Sequence, residues 1–174
     1  MKKEIIILTD IWGMADSEWL DQYVGSLGQH YLGRILDAQK LGWIAGAGLS
    51  EKSIHEQFVH GGIDRAVQQL LDRSSGVFAV LGFSIGGLIA WKACLQGFQV
   101  EHLLAISSTR LRYEKEKPDC NICLIYGSED QFKPDENWFK NFEIQPVFIE
   151  GHGHEVYKNS EIVPNLLAAI KSCL

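Results

Sequence analysis

The residues that decide the fold are Val77-Phe78-Ala79-Val80-Leu81 and, directly after them, Gly82-Phe83-Ser84-Ile85-Gly86-Gly87. The first five are apolar and predict a strand buried on both faces, and the apolar pattern that continues to Gly97 predicts a helix over residues 85–96. Strand and helix can approach this closely only if the flanking residues lack large side chains, which glycine provides. We therefore expect Ser84 at the carboxyl edge of a sheet, facing the free N–H groups of a helix N-terminus.

Elsewhere in the chain, short apolar runs alternate with longer segments of helical periodicity, which is typical of a parallel sheet covered by helices. We expect strands over residues 4–9, 31–36, 77–81, 102–106, 122–126 and 147–149. We expect helices over residues 17–30, 53–73, 85–96, 135–142 and 161–173, with a break at Gly61-Gly62, a loop over 38–50 and an exposed connection over 110–119. The pattern predicts an α/β fold, a three-layer sandwich with a mostly parallel sheet of about six strands.

A chain of 174 residues suits one domain, which we place over residues 1–174. The net charge of −6 argues against a nucleic-acid partner and against an anionic membrane surface. The apolar run from Ile5 to Leu8 is much shorter than the hydrophobic region of a signal peptide, and no segment is long enough to span a bilayer. These features favour a cytoplasmic protein.

The four cysteines are Cys94, Cys120, Cys123 and Cys173. Cys120 and Cys123 form a C-x-x-C pair, which suits redox chemistry or half of a zinc site. No second ligand pair with zinc spacing is visible, and Cys123 falls inside an apolar run. We interpret the cysteines as structural or incidental thiols and expect that no disulfide is needed to hold the domain together.

Two further residue types follow Ser84 in a meaningful order. Gly127-Ser128-Glu129-Asp130 comes directly after the strand over 122–126, and Gly151-His152-Gly153-His154 comes after the strand over 147–149. With these motifs the chain resembles the α/β-hydrolase superfamily, whose members order nucleophile, acid and histidine in this way. The resemblance implies a Ser84–His154–Asp130 triad, with Glu129 and His152 as alternatives. A metal bound by the two histidines is disfavoured because no third ligand cluster is apparent.

The loop after the first strand reads Thr9-Asp10-Ile11-Trp12-Gly13, which is similar to the corresponding turn of dienelactone-hydrolase-like members. That resemblance implies an oxyanion hole formed by the backbone N–H groups of Ile11 and Ile85. Those relatives typically have a cysteine nucleophile where this chain has Ser84, so the role of their acidic residue is not assigned to Asp10. The resemblance and the short loops imply a substrate pocket lined by Trp12, Phe83, Phe132 and Trp43.

Larger members insert a helical cap between the fourth and fifth strands, but here only residues 107–121 separate them. The sequence thus predicts an α/β-hydrolase fold without a cap domain, possessing an open cleft. The expected activity is hydrolysis of a small carboxylic ester or thioester through an acyl-enzyme on Ser84, without cofactor or metal. The alternatives are an acyltransferase with the same triad and a non-catalytic binding module. The expected partner is a small-molecule substrate. The sequence leaves open whether the protein forms a homodimer.

Histidines outside the proposed triad have no recognisable partners in the sequence. We interpret them as ordinary surface or packing residues: His30, His55, His60 and His102.

Overall fold

A computed structural model describes residues 2–73 and 76–174; Met1, Ser74 and Ser75, which the single domain expected over 1–174 includes, lie outside the described residues. Its centre is a six-stranded sheet in which all neighbouring strands are parallel. The strands are β1 (Glu4–Leu8), β2 (Leu32–Leu36), β3 (Val77–Phe83), β4 (His102–Ile106), β5 (Asn121–Gly127) and β6 (Val147–Ile149).

The order of the strands in the sheet is β2-β1-β3-β4-β5-β6. The chain moves outward from β1 to β2 and then returns to place β3 on the other side of β1. Parallel sheets form their sites where the strand order reverses in this way, outside the carboxyl ends of the strands. The fold therefore marks the edge between β1 and β3 as the place for a site, and this is where Ser84 lies.

The helices cover both faces of the sheet. They are α1 (Leu20–Leu27), α2 (Ala38–Gly42), α3 (Glu51–Gln57), α4 (Ile63–Leu71), α5 (Ile85–Leu95), α6 (Glu136–Asn141) and α7 (Val163–Ser172). α1 and α7 pack on one face, and α2 to α6 pack on the other. The three-layer arrangement predicted from the sequence is confirmed.

The residues of strand β1 contribute to two hydrophobic cores, one on each face of the sheet. Ile5 and Ile7 point to the layer of α1 and α7, whereas Ile6 and Leu8 point to the opposite layer. All four side chains are fully buried. A run of apolar residues without polar alternation is what a strand with two covered faces requires.

The structure corrects the loop expected over residues 38–50. Asp37 accepts hydrogen bonds from the backbone N–H groups of Gln39 (2.8 Å) and Lys40 (3.2 Å) and thereby begins the short helix α2. That helix ends at Trp43, which is in the left-handed conformation. The expected break at Gly61-Gly62 is confirmed, since Gly61 has φ 108° between α3 and α4.

The expectation of an exposed connection over residues 110–119 is also wrong in part. Leu111 is fully buried and begins a 3₁₀ turn, Leu111–Tyr113, and Pro118 is buried as well. The segment packs back onto the α5 layer because Trp91 and Trp138 donate hydrogen bonds to the carbonyls of Glu116 (3.2 Å) and Glu114 (3.0 Å). It is too short and too tightly packed to be a cap domain.

The cysteines include one disulfide that was not predicted from the sequence. Cys123 in β5 is disulfide-bonded to Cys173 at the end of α7, while Cys94 and Cys120 are free. Cys120 and Cys123 belong to opposite layers, because residues an odd number apart along a strand point to opposite faces. The C-x-x-C motif is therefore not a redox pair within this fold.

Across the described ranges 2–73 and 76–174, none of the helices has both the length and the apolar character that crossing a membrane requires.

Candidate active site

Ser84 lies in the sharp turn between β3 and α5. Its backbone has φ 50° and ψ −116°, a strained conformation for a residue with a side chain, and its N–H donates to the carbonyl of Ile106 (3.0 Å). A Cβ atom on Gly82 would lie 2.5 Å from the backbone of Gly86, and one on Gly86 would lie 2.5 Å from the carbonyl oxygen of Thr9. The glycines of the motif are thus required by the close approach of backbone to backbone.

A chain of hydrogen bonds connects Ser84 to a buried carboxylate. The Ser84 Oγ lies 3.0 Å from Nε2 of His154, and Nδ1 of His154 lies 3.0 Å from Oδ2 of Asp130. Because a carboxylate is an acceptor, Nδ1 carries the ring proton and Nε2 is left to accept the proton of the Ser84 hydroxyl. The arrangement is the one that serine hydrolases use to activate a hydroxyl as a nucleophile.

The alternatives left open by the sequence lie outside this chain. Glu129 is exposed, while Asp130 is fully buried and also accepts a hydrogen bond from the backbone N–H of Phe132 (2.8 Å). The Nδ1 of His152 is 2.7 Å from the carbonyl oxygen of Glu150, so that ring is held by its own loop. Both nitrogens of His154 have protein partners, which leaves neither available to share a metal with His152.

The backbone N–H groups of Ile11 and Ile85 are candidates for an oxyanion hole. Both residues line the same cavity as Ser84. Within residues 2–73 and 76–174, neither N–H group has a hydrogen-bond acceptor. Ile85 is the first residue of α5, so its N–H has no partner inside the helix.

A buried charged cluster holds the turn that contains Ile11. The fully buried Asp10 accepts hydrogen bonds from the N–H of Trp12 (3.0 Å) and the hydroxyl of Tyr157 (3.1 Å), and it lies 3.2 Å from the Lys158 ammonium. Burial raises the pKa of Asp10, and the charge of Lys158 opposes that rise. This role of Asp10 was not predicted from the sequence, since Tyr157 and Lys158 lie far along the chain from it.

Lys158 keeps its charge in this cluster because several acceptors surround it. Burial lowers its pKa, but the Asp10 charge and hydrogen bonds to Asp16, Glu155 and Asp10 hold the pKa above its ordinary value. Tyr157, its neighbour in the turn His154–Lys158, is buried and has its pKa raised by that burial and by the nearby Asp10 charge. The hydroxyl of Tyr157 is therefore a neutral donor.

The cavity next to Ser84 has a volume of about 560 Å³. Trp12 and Phe132 line it, as the sequence predicts. Phe83 does not: it is fully buried on the other face of the sheet, with its ring 4.7 Å from that of Trp19. Trp43 does not line this cavity either, since its exposed side chain lies beside Arg65. These two expectations are wrong.

Six charged or titratable residues that line the cavity were not predicted from the sequence: Glu51, His55, Arg110, Arg112, Glu155 and Tyr157. Glu51 and His55 are four residues apart on α3 and thus share one helix face, and Arg110 and Arg112 follow β4. Burial lowers the pKa of His55, and the charges of Arg110 and Arg112 lower it further. His55 is therefore a neutral residue of the cavity wall near pH 7, not an isolated surface histidine.

No protein-family model and no curated protein matches the sequence. Solved structures match it over almost its whole length. A putative hydrolase of the alpha/beta superfamily from Xanthomonas campestris has a TM-score of 0.68 at 16% identity, with 98% of this chain and 97% of that chain covered. A putative dienelactone hydrolase from Klebsiella pneumoniae has a TM-score of 0.70 at 12% identity, with 98% and 87% covered.

A third similar structure is the RedJ thioesterase of the prodiginine biosynthetic pathway in Streptomyces coelicolor, with a TM-score of 0.64 at 12% identity and coverage of 98% and 85%. The chain has the α/β-hydrolase fold, as the sequence predicts. At these identities the likeness concerns the fold alone, and the chemistry has to be argued from the side chains around Ser84.

Proposed function

We propose that the protein is a serine hydrolase that cleaves a small carboxylic ester or thioester. The observation that carries this proposal is the hydrogen-bonded series Ser84–His154–Asp130, whose two links are both 3.0 Å. It lies at a strained turn, beside a cavity and next to two backbone N–H groups that have no acceptor among the residues the structure describes. A strained nucleophile with a base, an orienting carboxylate and adjacent donors is the arrangement that acyl transfer requires.

In this mechanism the Ser84 oxygen attacks the carbonyl carbon while His154 Nε2 takes the hydroxyl proton. The N–H groups of Ile11 and Ile85 stabilise the oxyanion of the tetrahedral intermediate. The bond from carbon to the alcohol oxygen or thiol sulfur then breaks, and the imidazolium of His154 gives its proton to that leaving group. A water molecule, deprotonated by His154, cleaves the acyl-enzyme and restores Ser84. Asp130 remains ionised and holds the imidazole in place throughout.

The test compares wild type with Ser84→Ala on p-nitrophenyl esters of short acids and on a fluorophosphonate probe. We expect turnover to fall by at least about 10⁴-fold and labelling to disappear, since residues of a triad act as a unit. Ser172→Ala, which removes an exposed hydroxyl of α7, is the matched control and is expected to behave as wild type. A wild-type protein that reacts with neither ester nor probe contradicts the proposal and favours a non-catalytic binding module.

The same assay separates hydrolysis from acyl transfer. With glycerol or a small thiol present, a hydrolase releases the free acid, whereas an acyltransferase releases the new ester or thioester. We expect the free acid as the main product, because the acyl-enzyme is attacked by water in the proposed mechanism.

A further inference from the structure

Two arginines lie in the wall of the cavity beside Ser84. The N–H of Thr109 donates to the carbonyl of Ser84 (3.3 Å), so the segment that carries Arg110 and Arg112 starts against the backbone of the nucleophile. Arg112 is fixed on the opposite side, where its Nη1 donates to the carbonyl of Phe132 (2.8 Å). The ring of Phe132 in turn contacts the ring of His154, with centroids 5.1 Å apart. Both arginines therefore belong to the wall of the cavity that Ser84 and His154 also line.

These guanidinium groups have few polar protein partners, and both lie over the ring of Tyr113, at 5.1 Å for Arg110 and 4.6 Å for Arg112. Among the described residues, Arg110 makes no hydrogen bond or ion pair through its side chain, and Arg112 donates to one backbone carbonyl. Arg110 differs in this respect from the arginines outside the cavity, each of which has a polar partner. Arg34 pairs with Glu4 at 2.8 Å, and Arg65 and Arg73 donate to backbone carbonyls. A guanidinium offers five donors, so most of those in the cavity wall are available to a ligand.

The carboxylates that line the cavity do not neutralise the arginines. Glu155 is bound to Lys158 (3.0 Å), and Glu51 lies beyond 4.0 Å from either guanidinium. Burial lowers the pKa of His55, the charges of Arg110 and Arg112 lower it further, and the charges of Glu51 and Glu56 oppose this.

The backbone at Arg110 gives a second reason to assign a role to this segment. Its φ of 66° lies in the left-handed region, which costs a residue other than glycine about 1–2 kcal/mol. The next cavity residue upstream, Thr109, has a buried hydroxyl without a hydrogen-bond partner among the described residues. Strained backbone and unpaired polar groups in one cavity wall are features of binding sites.

We propose that Arg110 and Arg112 bind an anionic group, a carboxylate or a phosphate, on the ester or thioester cleaved at Ser84. Guanidinium groups bind both anions through paired N–H donors. This inference rests on the proposed function, because the anion is one end of a substrate whose acyl carbon reaches Ser84. It narrows the substrate from small esters in general to esters and thioesters that carry negative charge.

The experiment uses two matched pairs of substrates. The first pair is p-nitrophenyl hydrogen adipate and p-nitrophenyl hexanoate, which differ in a terminal carboxylate on the acyl chain. The second is hexanoyl-coenzyme A and hexanoyl-pantetheine, which differ in the phosphorylated adenosine of the leaving thiol. We expect wild type to prefer the anionic member of one pair in kcat/KM, and that pair identifies the carboxylate or the phosphate as the ligand.

The variant Arg110→Gln/Arg112→Gln is expected to lower this preference by about 10- to 100-fold, the usual effect of losing hydrogen bonds to a charged group. The control Arg34→Gln/Arg73→Gln removes an equal charge at two positions outside the cavity and keeps the wild-type preference. Sodium chloride weakens the preference in wild type. Arg112 also donates to the carbonyl of Phe132, so its replacement by glutamine removes a contact as well as a charge. Arg112→Lys keeps the charge, and we expect its preference for the anionic substrate to lie between those of wild type and the double variant.

The proposal is overturned if wild type shows no preference in either pair or if the double variant keeps it. Failure of the proposed function gives a different result, namely that wild type cleaves none of the four compounds. In that case, calorimetric titration of Ser84→Ala with p-nitrophenyl hydrogen adipate and hexanoyl-coenzyme A still tests the anion site. Binding that weakens when Arg110 and Arg112 are replaced supports the site, and binding that does not change contradicts it.

Discussion

Two turns meet at Ser84, and different forces hold them. The turn after β3 is shaped by backbone packing: a Cβ on Gly86 would lie 2.5 Å from the carbonyl oxygen of Thr9. The turn after β1 is shaped by charge, since the buried Asp10 accepts from the N–H of Trp12 and lies 3.2 Å from Lys158. Each turn presents one candidate oxyanion donor to the cavity.

This difference decides how each turn responds to change. A packed backbone leaves no room for an added atom but is indifferent to pH, because nothing in it titrates. A buried carboxylate tolerates changes of volume nearby but depends on its charged partner. The first turn should therefore fail when atoms are added, and the second when charges are removed.

The largest effect is expected for Gly86→Ala. The added methyl group would collide with the carbonyl oxygens of Thr9 and Leu8, at 2.5 and 2.9 Å, so β1 and α5 must separate. We expect a loss of about 3 kcal/mol in the free energy of unfolding, measured with urea, and loss of labelling by the fluorophosphonate probe.

Gly25→Ala is the matched control for this variant. Gly25 lies in α1, and no atom lies within 4 Å of the position that its Cβ would take. Alanine there should raise stability by about 0.5–1 kcal/mol, since it favours the helix. If Gly86→Ala is as stable and as reactive as wild type, close packing does not shape the turn after β3.

The same contrast explains which parts of the site could be read from the sequence. Ser84, Asp130 and His154 each follow an apolar run within a few residues, and parallel strands end at one edge, so local patterns bring them together. The expectation that Phe83 lines the pocket was wrong, although the alternation of residues along β3 predicts its true position. Strand residues alternate, so Phe83 points with Leu81 away from the layer of α5.

The residues that the sequence analysis missed depend on tertiary contacts. His55 reaches the cavity because α3 contributes to the same hydrophobic core as α4 and α5, an arrangement that no local pattern encodes. Lys158 contacts Asp10 from the opposite end of the chain. Arg110 lies in a segment whose charged residues are typical of an exposed loop. The 3₁₀ turn that buries Leu111 is too short to be recognised from a periodic pattern. For such residues, the local amino-acid composition predicts exposure to solvent, whereas tertiary packing brings them into contact with the cavity or with a buried group.

The second effect in size is expected for Lys158→Met. Burial already raises the pKa of Asp10, and removal of the ammonium raises it further. A carboxyl whose pKa is higher folded than unfolded stabilises the protein below its unfolded pKa, and that contribution is lost as pH rises through its folded pKa. The variant should match wild type near pH 4 and be less stable by about 2 kcal/mol at pH 8.

Urea unfolding at pH 4, 6 and 8 measures this difference. Lys140→Met removes a lysine paired with Glu136 on an exposed face and should change stability by less than about 0.5 kcal/mol at every pH. A deficit of Lys158→Met that stays constant with pH would assign the loss to packing of the lysine chain, and the charge of Asp10 would then not hold the turn.

The smallest effect separates the charge of Asp10 from its position. Asp10→Ala removes the acceptor of the Trp12 N–H, so the turn no longer holds Ile11 against the cavity, and we expect kcat to fall about tenfold with little change in KM. Asp10→Asn keeps an acceptor oxygen at the same place and should recover most of kcat while remaining less stable than wild type, because Lys158 loses its buried partner. Equal losses of kcat in the two variants would mean that the charge itself acts on the reaction, and the turn after β1 would then contribute electrostatically and not only by holding a backbone donor.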